Sequence, residues 1–206
     1  MSEIGTTDSI TAAEALERLK QGNERFLRGE MRIATAVQEA LRGLLHIQTP
    51  FATILGCSDS RVPPEIVFDT GLGDLFVIRV AGNVFSPEIA GTLQYAGAHL
   101  NTPLFVVLGH QGCGAVNAAL MTRDQGSQHR SRIQLLVDSI LPGLPPYDPN
   151  LSPGERTAQA IESNIRWTVH QILSTPEAQA RLKEGRIKIV GALFEIATGS
   201  VRFLDS

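Results

Sequence analysis

The sequence predicts an α/β fold: a mainly parallel β-sheet flanked by helices, with an N-terminal helical arm. Three observations predict it. Short apolar runs bounded by Pro and Gly recur at 51–55, 75–80, 104–108 and 187–193, with the length and composition of buried strands. Stretches with helical apolar spacing lie between them, and that alternation is the signature of strand–helix–strand units. Finally, 206 residues with 43% apolar and 19% charged content suffice for one domain with a substantial core. The whole chain, 1–206, therefore reads as a single domain, with 1–48 forming the arm and a second helix that rest on the core or on a partner subunit.

Taken in order, Thr11 and Glu14 have the spacing of a capping box that opens the arm helix. Ala12, Leu16, Leu19, Asn23 and Phe26 mark one face of it, and Gly29 is its stop. A second helix is expected over 35–48, with Ala36, Ala40, Leu44 and Ile47 on one side. After the 51–55 strand, Pro63 and Pro64 open a short helical turn at 65–68. The next strand, 75–80, is followed by a helix over 87–100 that starts at Pro87. The 104–108 strand leads to helices at 114–121 and 134–140. Five prolines in 141–154 predict an irregular surface excursion. An amphipathic helix over 155–173, a short one from Pro176, the 187–193 strand and a hairpin partner at 201–204 complete the chain.

Net charge −3 supplies no electrostatic reason for a nucleic acid or an anionic membrane as partner. No apolar run approaches the roughly 20 residues of a membrane-spanning helix. Residues 1–8 lack the basic and apolar regions of a secretory signal, so a cytoplasmic location is expected. There a disulfide is unusual, which shifts weight toward metal binding or catalysis for the two cysteines, Cys57 and Cys113.

Cys57 follows the 51–55 strand, and His110 and Cys113 follow the 104–108 strand in a Gly-rich loop. Parallel strands joined by right-handed crossovers present their C-terminal ends at one sheet edge, so the three side chains can converge. Two thiolates and an imidazole suit Zn2+, and three protein ligands leave the fourth tetrahedral position free, as in catalytic zinc sites. Two thiolates also neutralise the ion, so it acidifies water less than three neutral histidines would. Asp59 could accept a hydrogen bond from the species in the fourth position or could occupy that position itself. Arg61 can decide between these by clamping the carboxylate.

Other readings compete. Each cysteine alone is most simply a small core residue. A Cys57–Cys113 disulfide explains neither His110 nor Asp59, and the nucleobase deaminase pattern is missing its His-x-Glu and Cys-x-x-Cys. Gly109, Gly112 and Gly114 are a weak match to a phosphate-cradling loop. His46, His99, His129 and His170 read as surface or packed helix residues, and Trp167 as packing.

Cys57-x-Asp59-Ser60-Arg61 followed by His110-x-x-Cys113 resembles the paired motifs of the β-class carbonic anhydrases. The likeness extends through 76–83, 109–115 and 191–199, and the 19–26 stretch is similar to that family's helical arm. The resemblance implies a zinc enzyme that hydrates CO2 to bicarbonate, with zinc held by Cys57, His110 and Cys113. It implies a homodimer or a multiple of dimers. It also implies pocket positions at Gln48, Phe76 and Tyr95, some of them reaching the site from the partner subunit, and a Gly114 backbone N–H facing the bound anion. In that family zinc-bound hydroxide attacks the carbon of CO2. The allosteric subset carries tryptophan three residues before the first cysteine, where this chain has Ile54. That implies the open type, with Asp59 off the metal. Val80 stands where many members have asparagine. A catalytically silent zinc- or bicarbonate-binding homologue, or a CS2/COS hydrolase, would share the same ligands.

Overall fold

The computed structural model describes residues 10–32 and 47–205. Among the described residues, five strands form one sheet in the order β2-β1-β3-β4-β5: β1 Ala52–Gly56, β2 Leu75–Arg79, β3 Leu104–His110, β4 Lys188–Glu195 and β5 Ser200–Leu204. The first four run parallel and β5 returns antiparallel to β4. The helices are α1 Ala12–Arg28, α2 Pro64–Val67, α3 Pro87–His99, α4 Gly114–Gln125, α5 Ser131–Ile140, α6 Pro153–Leu173 and α7 Pro176–Lys183. The expected fold class is the one observed. The helix expected over 35–48 falls almost wholly outside the described residues, and Ile47 and Gln48 have no regular structure.

Every residue of β1 and β3 is buried, as central strands covered on both faces must be. Alternation divides them. Leu55, Phe105, Val107 and Ile189 face a cluster with Leu93, Val116, Ile140, Ile165 and Ala178 from α3 to α7. Ile54, Leu104, Val106, Val190 and Phe194 face the other way, onto Ala15 and Leu19 of α1 and Val67 of α2. Helices thus cover both faces, and the strand C-termini are left open as a site edge.

The arm helix α1 opens with the Thr11–Glu14 capping box and closes on Gly29 at φ 69°. Its buried face is Ala15, Leu19, Gly22 and Asn23, rotated from the expected stripe. The cause is close approach: a Cβ on Gly22 would lie 1.8 Å from the carbonyl oxygen of Phe68. Asn23 Nδ2 donates to Val67 O and Gly199 O (3.0 and 2.9 Å), and Val201 N donates to its Oδ1 (2.9 Å). Arg25 pairs with buried Asp69 at 2.5 Å. Fully buried Leu19 adds about 1.5–3 kcal/mol. The arm therefore rests on its own core.

Two helices begin earlier than their apolar spacing suggests. In α6, Ser152 and Glu155 form a second capping box with Pro153 in the first turn, and α5 begins at Ser131 rather than 134. Helix α4 runs past 121 until Gly126, at φ 67°, ends it.

Candidate metal centre

The sheet register delivers the site. Cys57 immediately follows β1, His110 ends β3, and the parallel pairing of the two strands puts both at one edge. From His110 the chain turns at Gly112 (φ 68°) and places Cys113 as the N-cap of α4. Cys57, His110 and Cys113 are all buried, and their ligand atoms lie within 4.8 Å of one another. The two sulfurs are 4.0 Å apart, neither in a disulfide.

His110 is wholly buried, and its Nδ1 lies 3.0 Å from the Gln111 carbonyl oxygen. That oxygen can only accept, so Nδ1 carries the proton and Nε2 presents a lone pair. Nε2 has no hydrogen-bond partner among the described residues. A buried imidazole nitrogen without a partner, aimed at two thiols, is costly unless it binds something. The donor set of one nitrogen and two soft sulfurs fits zinc.

The electrostatics favour a cation here. The two thiols act as a pair: contact with Cys113 lowers the pKa of Cys57, while the same contact, together with burial, pushes that of Cys113 up. Gly82 N–H donates to Cys57 Sγ at 3.4 Å. Burial opposes charge on His110 more than any other influence, yet the Cys57 sulfur, the Gln111 carbonyl and Asp59 together raise it. The negative surroundings that favour positive charge at His110 equally favour a metal ion.

Asp59 lies beside this cluster, its Oδ2 3.8 Å from His110 Nε2. Arg61 holds it through three bonds: its backbone N to Oδ1 at 3.0 Å, Nε to Oδ1 at 2.9 Å and Nη2 to Oδ2 at 2.7 Å. This bidentate fork keeps the Asp59 carboxyl well below the usual carboxylate range. Arg79, at the end of β2, donates to the Cys57 and Asp59 carbonyls (3.0 and 2.5 Å) and so fixes the loop backbone. Gly114, first residue of α4, is exposed, and a Cβ there would meet nothing within 4 Å. The space over this helix N-terminus is open.

The structure thus gathers Cys57, His110, Cys113, Asp59, Arg61 and Gly114. It does not bring Gln48, Phe76 or Tyr95 to the same place within one chain. Gln48 is exposed ahead of β1, at the opposite sheet edge from Cys57. Phe76 pairs with Thr53, four residues before Cys57 and about 13 Å away along the strand. The Tyr95 ring sits 6.1 Å from that of Phe76 and 4.9 Å from His99.

Comparison with known proteins agrees with this geometry. A model of the family described as carbonic anhydrase matches residues 52–201. Carbonic anhydrase 2 of Mycobacterium tuberculosis is 38% identical over 193 residues, covering 93% of this chain and 92% of that protein. The carbonic anhydrase of Mycolicibacterium smegmatis is 37% identical over 195 residues, 91% of this chain and 90% of that one. Among solved structures, a Coccomyxa β-carbonic anhydrase in complex with acetazolamide has a TM-score of 0.71 at 25% identity, over 81% of this chain and 77% of that one. The β-carbonic anhydrase CcaA has a TM-score of 0.71 at 26% identity, over 92% and 87%. The chain belongs to the carbonic anhydrase family, in its β-class.

Proposed function

We propose that this protein catalyses the zinc-dependent, reversible hydration of CO2 to bicarbonate and a proton. The observation that carries the reading is the unpartnered, buried His110 Nε2 facing two free thiols beside a clamped carboxylate. Cys57, His110 and Cys113 would hold the zinc. Once bound, the ion supplies a Lewis acid that makes water a nucleophile near neutral pH.

The chain's own residues do the rest. Arg61 engages both Asp59 oxygens, so the carboxylate would be kept from ligating the zinc. Asp59, ionised throughout the neutral range, accepts a hydrogen bond from the attacking species and orients its lone pair toward carbon. The Gly114 N–H, an unsatisfied donor at a helix start, receives the oxygen that becomes negative as bicarbonate forms. The proton passes to solvent buffer.

Gln48, Phe76 and Tyr95 complete the pocket from a second copy, which makes the working unit a homodimer or a multiple of dimers. Their distance from the cluster of their own chain supports this. Thiol ligands suit the reducing cytoplasm, and no helix among the described residues is long and apolar enough to cross a membrane.

The test is metal content together with CO2 hydration for native, chelator-stripped and Cys57→Ala protein. One zinc per chain, with activity lost in the last two, is expected. Hydration that survives both treatments overturns the proposal.

A further inference from the structure

Helix α6 carries two polar side chains on its buried face, Asn164 and Thr168, one turn apart and each 1% exposed. Their neighbours on that face are Ile161 and Ile165, also buried. A polar group in such a place is tolerated only when satisfied, and an aliphatic residue would serve packing alone better. Both groups are satisfied by the same turn. Asn164 Nδ2 donates to Gly82 O at 2.9 Å, and Thr168 Oγ1 donates to Asn83 O at 3.2 Å.

That turn needs holding. Gly82 and Asn83 are consecutive left-handed residues at φ 70° and 45°, a backbone that asparagine tolerates better than most side chains but that still carries a cost for any residue other than glycine. Gly82 is walled in by Ile140 and Ala115, and its N–H donates to the Cys57 sulfur. The two α6 side chains therefore hold two successive peptide units, 82–83 and 83–84, directly after the 81–82 peptide that donates to the candidate ligand, across 82 and 85 residues of sequence.

We infer that Asn164 and Thr168 are positioning residues for the metal centre: they lock the Gly82–Asn83 turn so that the Gly82 N–H draws electron density from the Cys57 thiolate. The consequence follows from charge. Two thiolates neutralise a divalent ion, and a donor hydrogen bond to one sulfur restores part of its Lewis acidity. Losing that bond makes Cys57 a more electron-donating ligand and frees the turn to drift. The inference rests on the proposed metal site.

The experiment compares wild type, Asn164→Leu, the milder Thr168→Val and a packing control, Ile161→Val on the same helix, each loaded with Co2+ in place of zinc. In the wild type a near-ultraviolet sulfur-to-cobalt charge-transfer band is expected. In Asn164→Leu and Thr168→Val the band moves to longer wavelength, zinc affinity by chelator competition falls about tenfold, and the pH–rate profile shifts to higher pH. Ile161→Val changes thermal stability alone. Bands and affinities in both polar variants equal to those of Ile161→Val would leave only a structural role and overturn the inference. A wild type with no sulfur-to-cobalt band would overturn the metal site itself, and this inference with it.

Discussion

Two glycines next to the site share a left-handed backbone but differ in the space around them. Gly82, at φ 70°, would place a Cβ 2.8 Å from Ile140 Cδ1 and 3.0 Å from Ala115 Cβ, whereas Gly112, at φ 68°, would meet nothing within 4 Å. Alanine at either position incurs the left-handed penalty of about 1–2 kcal/mol. At Gly82 alone it also overpacks the junction of α4 and α5, which typically costs about 1–3 kcal/mol more. Gly82→Ala is therefore expected to destabilise the metal-free protein by about 2–5 kcal/mol and Gly112→Ala by about 1–2 kcal/mol. Urea unfolding without metal removes the contribution of ligand binding and reads the two values directly. Gly82→Ala is also expected to weaken zinc binding, because the displaced peptide is the donor to Cys57. Equal destabilisation by the two substitutions would refute the packing described around Gly82.

Three further outcomes follow from the geometry. If Gln48 serves the partner's site, refolding an equal mixture of inactive Cys57→Ala and Gln48→Ala chains gives hybrid dimers with one intact site, restoring about a quarter of wild-type CO2 hydration; no recovery would place Gln48 outside the partner's pocket. Asn23→Ala strands Val67 O, Gly199 O and Val201 N, and is expected to cost about 2–4 kcal/mol in urea unfolding; a loss under about 0.5 kcal/mol would deny that the arm is anchored there. Asp59 has its folded-state pKa depressed by Arg61, so its contribution to stability is present above the unfolded value of about 3.9 and lost progressively as pH falls from there toward the folded value. The stability advantage of metal-free wild type over Asp59→Asn should then shrink as pH falls from about 5 toward about 2, and a constant gap over that range would contradict the clamp.

Much of the site was legible because its signals are local. Two cysteines in the whole chain, each just past an apolar run, leave few arrangements, and parallel strands force those run ends together. Asp59 and Arg61 lie two residues apart and need no tertiary information to meet. What was hidden depends on contacts across the chain. The buried face of α1 turns on a backbone approach at Gly22 that no hydrophobic pattern encodes, and Asn23 finds its partners at residues 67, 199 and 201. Asn164 and Thr168 look like ordinary polar positions of an amphipathic helix, since nothing near them reveals that this face meets the Gly82–Asn83 turn. The one available signal was their i, i+4 spacing in register with Ile161 and Ile165. Gln48, Phe76 and Tyr95 were legible only through family resemblance, because their proposed place is in another subunit's pocket.

The most direct test of the central claim is stopped-flow CO2 hydration by zinc-loaded protein, at pH 7 and again near pH 8.5. With Asp59 held by Arg61 and the fourth position open, fast turnover is expected at both values. Activity confined to the higher pH would contradict the open site, and silence at both, with one zinc per chain, would contradict CO2 hydration itself.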